Sequence, residues 1–481
     1  MSDRPQIRKT KIVATIGPAS DASETLQAMI RAGMNVARLN LSHGNFSEHA
    51  ARVERIRQAA ADVGAHMAIM LDTRGIEIRT GPLVEDYVEL KPGNEFCLYT
   101  QPRTGDAGGV SVSYRRLDDE VRAGVPILVD DGAIELEVKE VVSGAVHCRV
   151  VHGGILRANK SVNLPDTELS LAAVSPEHRD DVVKEISFAM DHDVDYIAAS
   201  FVQNAEELAR MREIMEERGV HIPIIAKIEN KAGVHNLEQI VEAADGVMVA
   251  RGDLGVELPL ADVPGAQKKI IRTTVSNGKP VITATQMLAS MEFNPKPTRA
   301  EASDVANAIL DGSSAVMLSG ETAMGKYPVA AVRTMAALAL RAEASLGEYG
   351  YLQKIRRYPA NLVNEVVALA AANMARELDA AAIFSLTETG FTSRLISKHR
   401  PECPILAITA SRVQVRRLCL NWGVVPILYD GERSDDAKIE FAIARARELG
   451  YIRSGDVVVA TAGQSQKAGG TDRLRVLTLD A

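Results

Sequence analysis

Short apolar runs alternate with amphipathic segments along most of the chain, and this alternation predicts strands followed by helices. Within the first 75 residues, the apolar runs have the length of strands, and the segments between them carry apolar residues at helical spacing. The predicted strands are 10–17, 35–42 and 66–72, and the predicted helices are 23–32 and 46–63. The chain is therefore expected to begin with a β-α-β-α-β unit.

The same alternation resumes after residue 170. The predicted strands there are 195–200, 222–229, 246–250, 280–285 and 315–319, and the predicted helices are 176–191, 205–218, 236–244, 264–277, 299–310 and 329–344. Together with the first three strands, these segments make eight strand-helix units. Eight parallel strands, each followed by a helix, predict a closed (β/α)₈ barrel whose active site lies at the carboxyl ends of the strands.

Two further regions lie outside these eight strand-helix units. Between residues 76 and 169, short β-branched runs broken by turn residues predict a small all-β domain, inserted in the third strand-to-helix loop. A domain in that position can act as a lid over the active site. After residue 347, a further alternating segment predicts an open-sheet α/β domain. The expected fold class is α/β, a TIM barrel with an inserted β lid and a C-terminal α/β domain, divided at 1–75, 76–169, 170–346 and 347–481.

Charge and hydropathy narrow the function classes. The 63 aspartates and glutamates outnumber the 55 lysines and arginines, which gives a net charge of -8. No segment of the sequence forms a basic arm or stripe. Nucleic acid is therefore not expected as a partner. The longest uncharged runs reach only about a dozen residues, too few to span a membrane. The apolar run at 12–16 is too short for a secretory signal, so a cytoplasmic location is expected.

Several familiar cofactor and metal patterns do not occur in the sequence. The four cysteines are widely spaced, so neither a disulfide framework nor a zinc site is predicted, and each is expected to be a buried thiol: Cys97, Cys148, Cys403 and Cys419. There is no Gly-x-Gly-x-x-Gly after a strand and no Gly-x-x-x-x-Gly-Lys-Ser/Thr. Dinucleotide-binding and P-loop sites are therefore not indicated.

Polar side chains stand at the ends of the predicted barrel strands, which converge on one mouth. Along the second strand, the period of two places Arg38, Asn40 and Ser42 on one face. A guanidinium suits a phosphate, and neutral oxygens suit a hard cation. A polar rim without function is an equally good interpretation of this strand taken alone. His43, the next residue, is interpreted as a solvated imidazole rather than a catalytic base.

The fifth and sixth strands end in charged residues. Lys227 and Glu229 share one face of their strand, and the neighbouring strand would bring Asp253 close to Glu229. Two carboxylates whose shell is completed by substrate oxygens are a usual Mg²⁺ site. Gly252 would also let backbone N–H groups approach an anion closely. A structural ion pair for Lys227 and Glu229, and a plain turn for residues 252–255, are the competing interpretations.

Hydroxyl groups end the last two strands. Thr285 follows the seventh strand, and Ser319 and Thr322 follow the eighth. Thr298 and Glu301 have the spacing of a helix capping box, so a structural role is expected for that pair. The residues alone therefore predict a barrel enzyme that uses a divalent metal on an anionic substrate, with a phosphorylated one favoured.

Six longer motifs extend this prediction, because together they resemble the pyruvate kinase family along essentially the whole chain. They are TKIVATIGPAS at 10–20, MNVARLNLSHG at 34–44, LDTRGIEIRTG at 71–81, VARGDLGVE at 249–257, TATQML at 283–288 and SGET at 319–322. The architecture of that family, a barrel with a β lid and a C-terminal regulatory domain, agrees with the periodicity. The resemblance implies transfer of the phosphoryl group of phosphoenolpyruvate to ADP, giving pyruvate and ATP in the final step of glycolysis.

The resemblance also assigns roles to individual residues. Glu229 and Asp253 match the Mg²⁺ (or Mn²⁺) ligands, and Lys227 matches the charge that stabilises the transferring phosphoryl group and the enolate. Phosphoenolpyruvate would be held by Arg38, by the backbone at Gly252 and Asp253, and by Thr285. The catalytic set is thus Lys227, Thr285 and Arg38. Protonation of the enolate is expected from a relay of water and hydroxyls in which Thr285 and Ser319 are candidates.

The nucleotide and K⁺ contacts come from the strand ends and the lid. Arg79 and Lys160 resemble the contacts to the nucleotide phosphates, with Asn40 and His43 as further nucleotide-binding candidates. The residues that match the K⁺ ligands are Asn40, Ser42, Asp72 and Thr73. Glu77 is typical of K⁺-dependent members, whereas K⁺-independent members carry a lysine there. We therefore expect K⁺ activation.

A loop in the C-terminal domain, containing Thr387, Thr389, Gly390 and Thr392, resembles the family's effector-phosphate loop. Glu388 and Phe391 replace small or hydroxyl residues, and a carboxylate repels phosphate, so activation by fructose 1,6-bisphosphate is not favoured. A sugar monophosphate, a nucleotide or no effector all remain open, and so does a plain helix N-cap at Thr392 or Ser393. The family further implies a homotetramer.

Two alternative functions stay open on the sequence. Barrel lyases and aldolases that act on pyruvate-like substrates also use a Lys/Glu strand end with an acidic metal ligand, but they lack the lid and the C-terminal domain. A catalytically inactive regulatory paralogue would be expected to have lost Lys227, Glu229, Asp253 or Thr285. All four residues are present.

Overall fold

The computed structural model describes residues 7–75, 77–167, 178–350, 362–432, 434–463 and 470–480. The chain opens with three strands and two helices in alternation: β1 (Lys11–Thr15), α1 (Ser23–Ala32), β2 (Val36–Asn40), α2 (Phe46–Asp62) and β3 (Ala68–Asp72). Helix α1 buries Leu26, Met29 and Ile30 on one face, and Gly33 ends it with φ +115°, a conformation that glycine adopts easily. Local sequence thus defines both the face and the end of this helix.

The next segment is a small all-β unit. Its elements are β4 (Val88–Leu90), β5 (Glu95–Tyr99), β6 (Gly109–Ser111), a short α3 (Leu117–Glu120), β7 (Pro126–Val129), β8 (Ile134–Val142), β9 (Ala145–His152), β10 (Gly154–Leu156) and β11 (Val162–Asn163). Six of the strands form one sheet in the order β11-β7-β8-β9-β5-β6, and β10 pairs with β4. Its own apolar core includes Phe96, Leu136 and Val150.

Strands and helices then alternate again up to residue 350. The elements are α4 (Arg179–Asp191), β12 (Tyr196–Ala199), α5 (Ala205–Glu216), β13 (Ile224–Ile228), α6 (Lys231–His235), α7 (Leu237–Ala243), β14 (Gly246–Ala250), α8 (Arg251–Glu257), α9 (Val263–Ser276), β15 (Val281–Ala284), α10 (Arg299–Leu310), β16 (Ala315–Leu318), α11 (Gly320–Ala323), α12 (Pro328–Glu343) and α13 (Leu346–Tyr349). The capping box predicted for Thr298 and Glu301 is present at the start of α10.

Eight parallel strands close a barrel in the order β1-β16-β15-β14-β13-β12-β3-β2. Consecutive registers such as Asn40 opposite Asp72 align the carboxyl ends of neighbouring strands. The barrel interior is filled by apolar side chains such as Met70, Met248 and Ile282, so the barrel is a packed core rather than a pore. The predicted fold class is confirmed.

The C-terminal region forms an open sheet with helices. It consists of α14 (Leu362–Glu377), β17 (Ala382–Leu386), α15 (Phe391–Lys398), β18 (Ile405–Thr409), α16 (Arg412–Arg417), β19 (Val424–Leu428), α17 (Asp435–Glu448), β20 (Val457–Gly463) and β21 (Thr471–Thr478). The strand order is β19-β18-β17-β20-β21, with only β21 antiparallel to its neighbour. Cys419 and Leu420 of this region pack into the apolar cluster of the barrel interior, so the C-terminal domain contacts the base of the barrel.

Some local expectations were wrong. The competing interpretation of residues 252–255 as a plain turn was wrong, because they lie within α8. The helix expected over 236–244 is present as α7, but the short α6 that precedes it was not predicted. Cys97, Cys148 and Cys419 are buried free thiols, whereas Cys403 is only half-buried.

The domain limits at 75/76, 169/170 and 346/347 stay predictions. The limit at 169/170 and the expected helix start at residue 176 lie outside the described residues, as does residue 76. In the described part of the chain, no helix combines the length and the apolar character needed to cross a membrane.

Candidate active site

Arg38 and Asp72 lie side by side where β2 and β3 end. The Arg38 Nε donates to Asp72 Oδ2 at 2.6 Å, and its Nη1 donates to Thr15 Oγ1 at 3.0 Å. All three residues are buried, and the parallel pairing of β1, β2 and β3 brings them together. Burial opposes ionisation of Asp72, but Arg38 and then Lys227 outweigh it and lower the pKa of this carboxyl. A charged pair is therefore fixed at the mouth of the barrel.

The Lys227 ammonium contacts three oxygens that come from three strand ends. Its Nζ lies 2.9 Å from Asp72 Oδ1, 2.7 Å from Ser200 Oγ and 2.9 Å from Glu229 Oε1. These three contacts match the three N–H donors of an ammonium group. Burial disfavours the charge, but Asp72 and Glu229 outweigh burial and raise the pKa of Lys227 above its ordinary value. The ammonium therefore stays charged and held in one place.

Glu229 and Asp253 form a carboxylate pair that is only partly neutralised. Glu229 Oε2 accepts the Phe201 N–H at 2.5 Å. Burial raises the pKa of Glu229 to about 7, with Lys227 opposing and the charge of Asp253 adding to the rise. Burial also raises the pKa of Asp253, again against Lys227. Lys227 therefore compensates this carboxylate pair only in part, and a divalent cation would supply the remaining counter-charge.

The segment that carries Asp253 is fastened to the end of the next strand. The Gly252 N–H donates to Thr285 Oγ1 at 2.8 Å. Thr285 has φ +65°, an unusual conformation for a β-branched residue that needs support from its surroundings. Arg251 gives that support, because its Nη2 donates to the Thr285 carbonyl at 2.7 Å while its Nη1 pairs with Asp304 at 2.7 Å. Thr285 is thus presented to the mouth in a fixed orientation.

Ser319 stands at the end of the eighth barrel strand, β16. Its backbone N–H donates to Glu321 Oε2 at 2.7 Å. The Ser319 Oγ is buried and has no hydrogen-bond partner within the described part of the chain. A buried hydroxyl without a partner is uncommon, and here it is available to a ligand or a water molecule.

An open cleft of about 1680 Å³ lies between the lid and the barrel mouth. It is lined by the predicted residues Arg79, Lys160 and Asp253, and by Glu77. Arg79 contacts Glu77 and donates to the Asn159 carbonyl at 2.9 Å. Lys160 pairs with Asp130 at 2.8 Å. The lid therefore contributes three cations, Arg79, Arg122 and Lys160, to the cleft that Asp253 borders.

Two family models match the chain: the barrel domain of pyruvate kinase over residues 7–332, and its alpha/beta domain over residues 365–477. Three relatives named pyruvate kinase show similarity over almost the whole chain. The one from Geobacillus stearothermophilus is 46% identical over 459 residues, which is 95% of this chain and 78% of that protein. The one from Sporosarcina psychrophila is 45% identical over 471 residues (97% and 80%), and the one from Staphylococcus aureus MRSA252 is 45% identical over 476 residues (98% and 80%).

The chain belongs to the pyruvate kinase family. The resemblance read from its motifs is confirmed, and so is the enzyme class, a phosphotransferase. Membership in this family excludes the alternative of a barrel lyase or aldolase.

Three residues at the pyruvate kinase mouth were missed by the sequence analysis. Ser200 and Phe201 follow β12 and contact Lys227 and Glu229, and Arg251 supports Thr285. Ser200 could have been found, because it is a hydroxyl at a barrel strand end like the others. The backbone contact of Phe201 has no sequence signal.

The residues matched to the K⁺ ligands lie at the adjoining ends of β2 and β3. Asn40 Oδ1 accepts the Ser42 N–H at 3.1 Å. Thr73 Oγ1 accepts the Ser200 N–H at 3.0 Å, and Asp72 faces Arg38 and Lys227 as described. Asn40 and His43 are not among the described residues that line the lid cleft, so their nucleotide role stays a prediction without a geometric argument.

Two hydroxyls of the C-terminal loop, those of Thr387 and Thr392, are bound within the protein. Thr387 Oγ1 accepts the Gly390 N–H at 2.9 Å, and Thr392 contacts Thr471. Glu388 pairs with Lys438 at 3.0 Å. Helix α15 begins at Phe391 after Gly390, whose φ is +76°, so the alternative of a helix N-cap at Thr392 or Ser393, which the sequence left open, was wrong. Thr389 accepts from Arg394 through its carbonyl.

Proposed function

We propose that the barrel mouth transfers the phosphoryl group of phosphoenolpyruvate to ADP, giving pyruvate and ATP. The observation that carries this proposal is the cluster at the mouth, where a fixed cation, Lys227, adjoins the partly neutralised carboxylates Glu229 and Asp253. Phosphoryl transfer requires positioning and compensation of negative charge more than covalent participation by the protein. The cluster offers both on the side of the barrel that faces the lid cleft.

Lys227 is proposed as the catalytic charge. Its buried ammonium is fixed by Asp72, Ser200 and Glu229, so little reorganisation is needed when negative charge develops on the phosphoryl group and the enolate oxygen. Arg38 would bind the substrate phosphate. The backbone at Gly252 and Asp253 and the hydroxyl of Thr285 would orient the rest of phosphoenolpyruvate.

Glu229 and Asp253 are proposed to hold Mg²⁺ or Mn²⁺. They are two carboxylates in need of counter-charge, which suits a hard divalent cation that keeps other positions for substrate oxygens. When bound, the cation would supply Lewis-acid compensation of the phosphate charge. Among the described residues no group of three or more acidic, histidine or cysteine side chains forms a metal site, in keeping with a shell that substrate oxygens complete.

K⁺ is proposed to bind among Asn40, Ser42, Asp72 and Thr73. Amide, hydroxyl and carboxylate oxygens are suitable ligands for a hard monovalent ion. Glu77 supports this proposal, because it leaves the adjacent cleft without the tethered ammonium that a lysine would place there.

Arg79 and Lys160 are proposed to bind the nucleotide phosphates, since both line the lid cleft that Asp253 borders. In the described structure each is paired with a carboxylate, Glu77 or Asp130, and a phosphate would compete with these partners. For protonation of the enolate, Ser319 is the better supported of the two hydroxyl candidates. Its Oγ has no partner in the described chain, whereas the Thr285 hydroxyl is engaged by Gly252 and Ala284.

The proposal is tested by following pyruvate formation from phosphoenolpyruvate and ADP with Mg²⁺, with K⁺ or with a tetramethylammonium salt, and without added effector. We expect turnover that requires Mg²⁺ and is stimulated by K⁺. Turnover that does not depend on K⁺ would support the proposed reaction and contradict the proposed K⁺ site. If both salts give no turnover even after sugar phosphates and nucleotides are added, the inactive paralogue becomes the better description.

We propose self-association, with a homotetramer as the form expected from the family. Helix α14 and the residue after it expose Val363, Val366, Met374 and Leu378, which lie along one side at helical spacing. An exposed apolar stripe of this kind is typical of an interaction surface. Light scattering of the wild type and of Val366→Lys tests it, because a monomeric wild type would contradict the proposal.

We propose that a phosphorylated effector could act through the C-terminal loop only by breaking contacts that the loop already makes. An effector phosphate would have to displace Glu388 from Lys438 and compete for the bound hydroxyls of Thr387 and Thr392. We therefore expect fructose 1,6-bisphosphate to activate weakly or not at all, as measured by the phosphoenolpyruvate concentration at half-maximal velocity.

A further inference from the structure

The proposed K⁺ ligands come from two segments of the chain, one at the end of β2 and one at the end of β3. The first segment carries Asn40 and Ser42, and the second carries Asp72 and Thr73. Asn40 Oδ1 accepts the Ser42 N–H and Thr73 Oγ1 accepts the Ser200 N–H, and each of these oxygens has a second lone pair. The residues therefore fit a hard monovalent cation, provided that the two segments keep a fixed spacing.

Strand pairing sets this spacing only at the first residue of each segment. The register of β2 and β3 ends with Asn40 opposite Asp72, and the Leu41 N–H then donates to the Asp72 carbonyl at 3.0 Å. Beyond this point, one chain continues into the loop before α2 and the other into the lid. Ser42 lies in that loop and is exposed, so strand pairing does not fix its position.

The side chain of Arg74 connects the two segments beyond the strand ends. Arg74 directly follows Thr73, and its Nε donates to the Leu41 carbonyl at 2.9 Å. Leu41 is buried and stands between Asn40 and Ser42. The bond to its carbonyl therefore holds the peptide group that leads to Ser42, and a residue of the second segment holds the first in place.

Helices α2 and α4 support Arg74 in this position. Its guanidinium carbon lies 5.6 Å from the centre of the Phe46 ring in the first turn of α2, and that ring stacks on Phe188 of α4 at 5.2 Å. The Arg74 backbone N–H donates to Glu185 Oε1 on α4 at 3.3 Å. A guanidinium offers both a directed N–H and a flat face for the aromatic ring, whereas a lysine ammonium offers neither in this form.

The charge of Arg74 works against K⁺ binding, because like charges repel. The side chain is 49% exposed and its Nε lies 4.0 Å from Glu185, so this ion pair contributes little to the stability of the fold. Removal of the charge should therefore strengthen K⁺ binding if Arg74 acts electrostatically. It should weaken K⁺ binding if Arg74 acts by holding the loop.

We propose that Arg74 is a positioning residue that fixes the spacing of the two K⁺-binding segments, and thereby the affinity of the site and its preference for K⁺ over Na⁺. This inference rests on the K⁺ site proposed above. Arg74 acts through the Leu41 carbonyl, which keeps Ser42 among the ligands. Cavity size and the number of coordinating oxygens are the two properties by which a site distinguishes K⁺ from Na⁺, and both depend on the position of Ser42.

The test measures K⁺ binding without turnover, from the thermal midpoint of the full chain in Mg²⁺ and phosphoenolpyruvate but without ADP. K⁺ replaces tetramethylammonium at constant ionic strength, and the rise in the midpoint gives the K⁺ dissociation constant. We expect Arg74→Met to raise this constant on the order of tenfold, as is usual for residues that hold metal ligands in place. Arg74→Lys keeps the charge and should also raise it. The same titration with Na⁺ should show a smaller preference for K⁺ in both variants.

Arg179→Met is the matched control, because Arg179 on α4 has a similar exposure and also pairs with a glutamate, Glu217. It should keep the wild-type constant for K⁺. Midpoints in tetramethylammonium alone, which we expect to be close to that of the wild type, show that the variants fold. A second readout is the anomalous signal of Tl⁺ soaked into crystals. A peak among the four ligands is expected in the wild type, with a weaker one in Arg74→Met.

Tighter K⁺ binding in Arg74→Met would show that the charge of Arg74 acts on the ion, and it would overturn the proposal. An unchanged dissociation constant in both Arg74 variants would overturn it equally. A wild-type midpoint that does not respond to K⁺ would overturn this inference together with the K⁺ site. Phosphoryl transfer is judged separately, by ATP formation from phosphoenolpyruvate and ADP.

Discussion

Two aspartates, Asp72 and Asp195, are each completely buried and flanked by two cations, yet they lie at opposite ends of neighbouring barrel strands. Asp72, at the mouth, contacts Arg38 at 2.6 Å and Lys227 at 2.9 Å. Asp195, at the base, contacts Arg57 at 2.9 Å and Arg416 at 2.7 Å. Taken singly, the two arrangements look alike.

Their surroundings differ in charge balance. At the base, Arg416 also pairs with Asp193 at 2.6 Å, and Asp195 accepts the Ile69 N–H at 2.8 Å, so two arginines match two aspartates. Arg416 belongs to α16, so this balanced cluster joins the C-terminal domain to the barrel. At the mouth, Glu229 and Asp253 add two carboxylates without an added cation. A balanced cluster stabilises a domain contact, whereas an unbalanced one attracts a cation and its anionic ligand.

The largest effect should come from Lys227→Met, which removes the charged donor at the mouth. Loss of one positioned transition-state donor costs on the order of 10³-fold in kcat, while Arg38, Gly252 and Thr285 remain to bind phosphoenolpyruvate. Steady-state kinetics and a calorimetric measurement of phosphoenolpyruvate binding separate the two effects. Lys184→Met, at an exposed lysine, serves as the control. Turnover close to the wild-type value in Lys227→Met would remove this residue from its role.

The corresponding change at the base, Asp195→Asn, should affect stability instead. It removes the fully buried carboxylate that the half-buried Arg57 and Arg416 share. Breaking such a pair costs up to about 3 kcal/mol, and Arg416 keeps its contact with Asp193. Denaturant unfolding measures the loss of unfolding free energy. At a low temperature, where the variant stays folded, kcat should change little. Asp181→Asn breaks the exposed pair with Lys184 and should have little effect. Equal losses of unfolding free energy in Asp195→Asn and Asp181→Asn would show that burial of the Asp195 cluster adds no stability.

A third change concerns another carboxyl on the mouth side, Glu185, which accepts the N–H of Arg74 just beyond the end of β3. Burial raises the pKa of Glu185 on α4 to about 7, against the opposing effect of Arg74. The folded state then binds this proton more tightly than the unfolded state. The stabilisation from this bound proton is complete below the pKa that Glu185 has in the unfolded chain. It is lost as the pH rises through about 7.

Glu185→Gln should therefore remove part of this loss of stability with rising pH. We expect it to raise the free energy of unfolding at alkaline pH by about 2 kcal/mol. The measurement is the thermal midpoint as a function of pH for both proteins. Glu217→Gln, at an exposed residue paired with Arg179, is the control. Parallel pH profiles for Glu185→Gln and the wild type would show that Glu185 titrates normally.

The smallest effect is expected from adding a cation near the mouth. Glu77 borders the lid cleft beside Arg79, and Glu77→Lys would place a tethered ammonium there. We expect the ratio of turnover in K⁺ to turnover in tetramethylammonium to fall severalfold toward one. The idea fails if the wild type already turns over equally in the two salts.

Much of the mouth could be predicted because each contributing residue stands at the end of a periodic apolar run. Arg38, Lys227, Glu229 and Thr285 were found by this rule, and Ser200 would have been found by applying it once more. The helix in residues 251–257 was harder to predict, because Gly252 and Asp253 are turn formers by local propensity. Packing of Leu254 into the barrel core favours the helix instead.

The sequence by itself determined the number of strand-helix units, the inserted β segment, the C-terminal sheet and the identity of the residues at the strand ends. Periodicity and motifs are properties of contiguous residues, so they can be read without knowing what lies across the barrel. Only the tertiary structure decided which charges meet. Lys227 contacts Asp72, which lies 155 residues away in the sequence, and Arg416 contacts Asp195, which lies 221 residues away. Closure of the barrel and docking of the C-terminal domain create these contacts, and whether each cluster ends balanced or unbalanced depends on them.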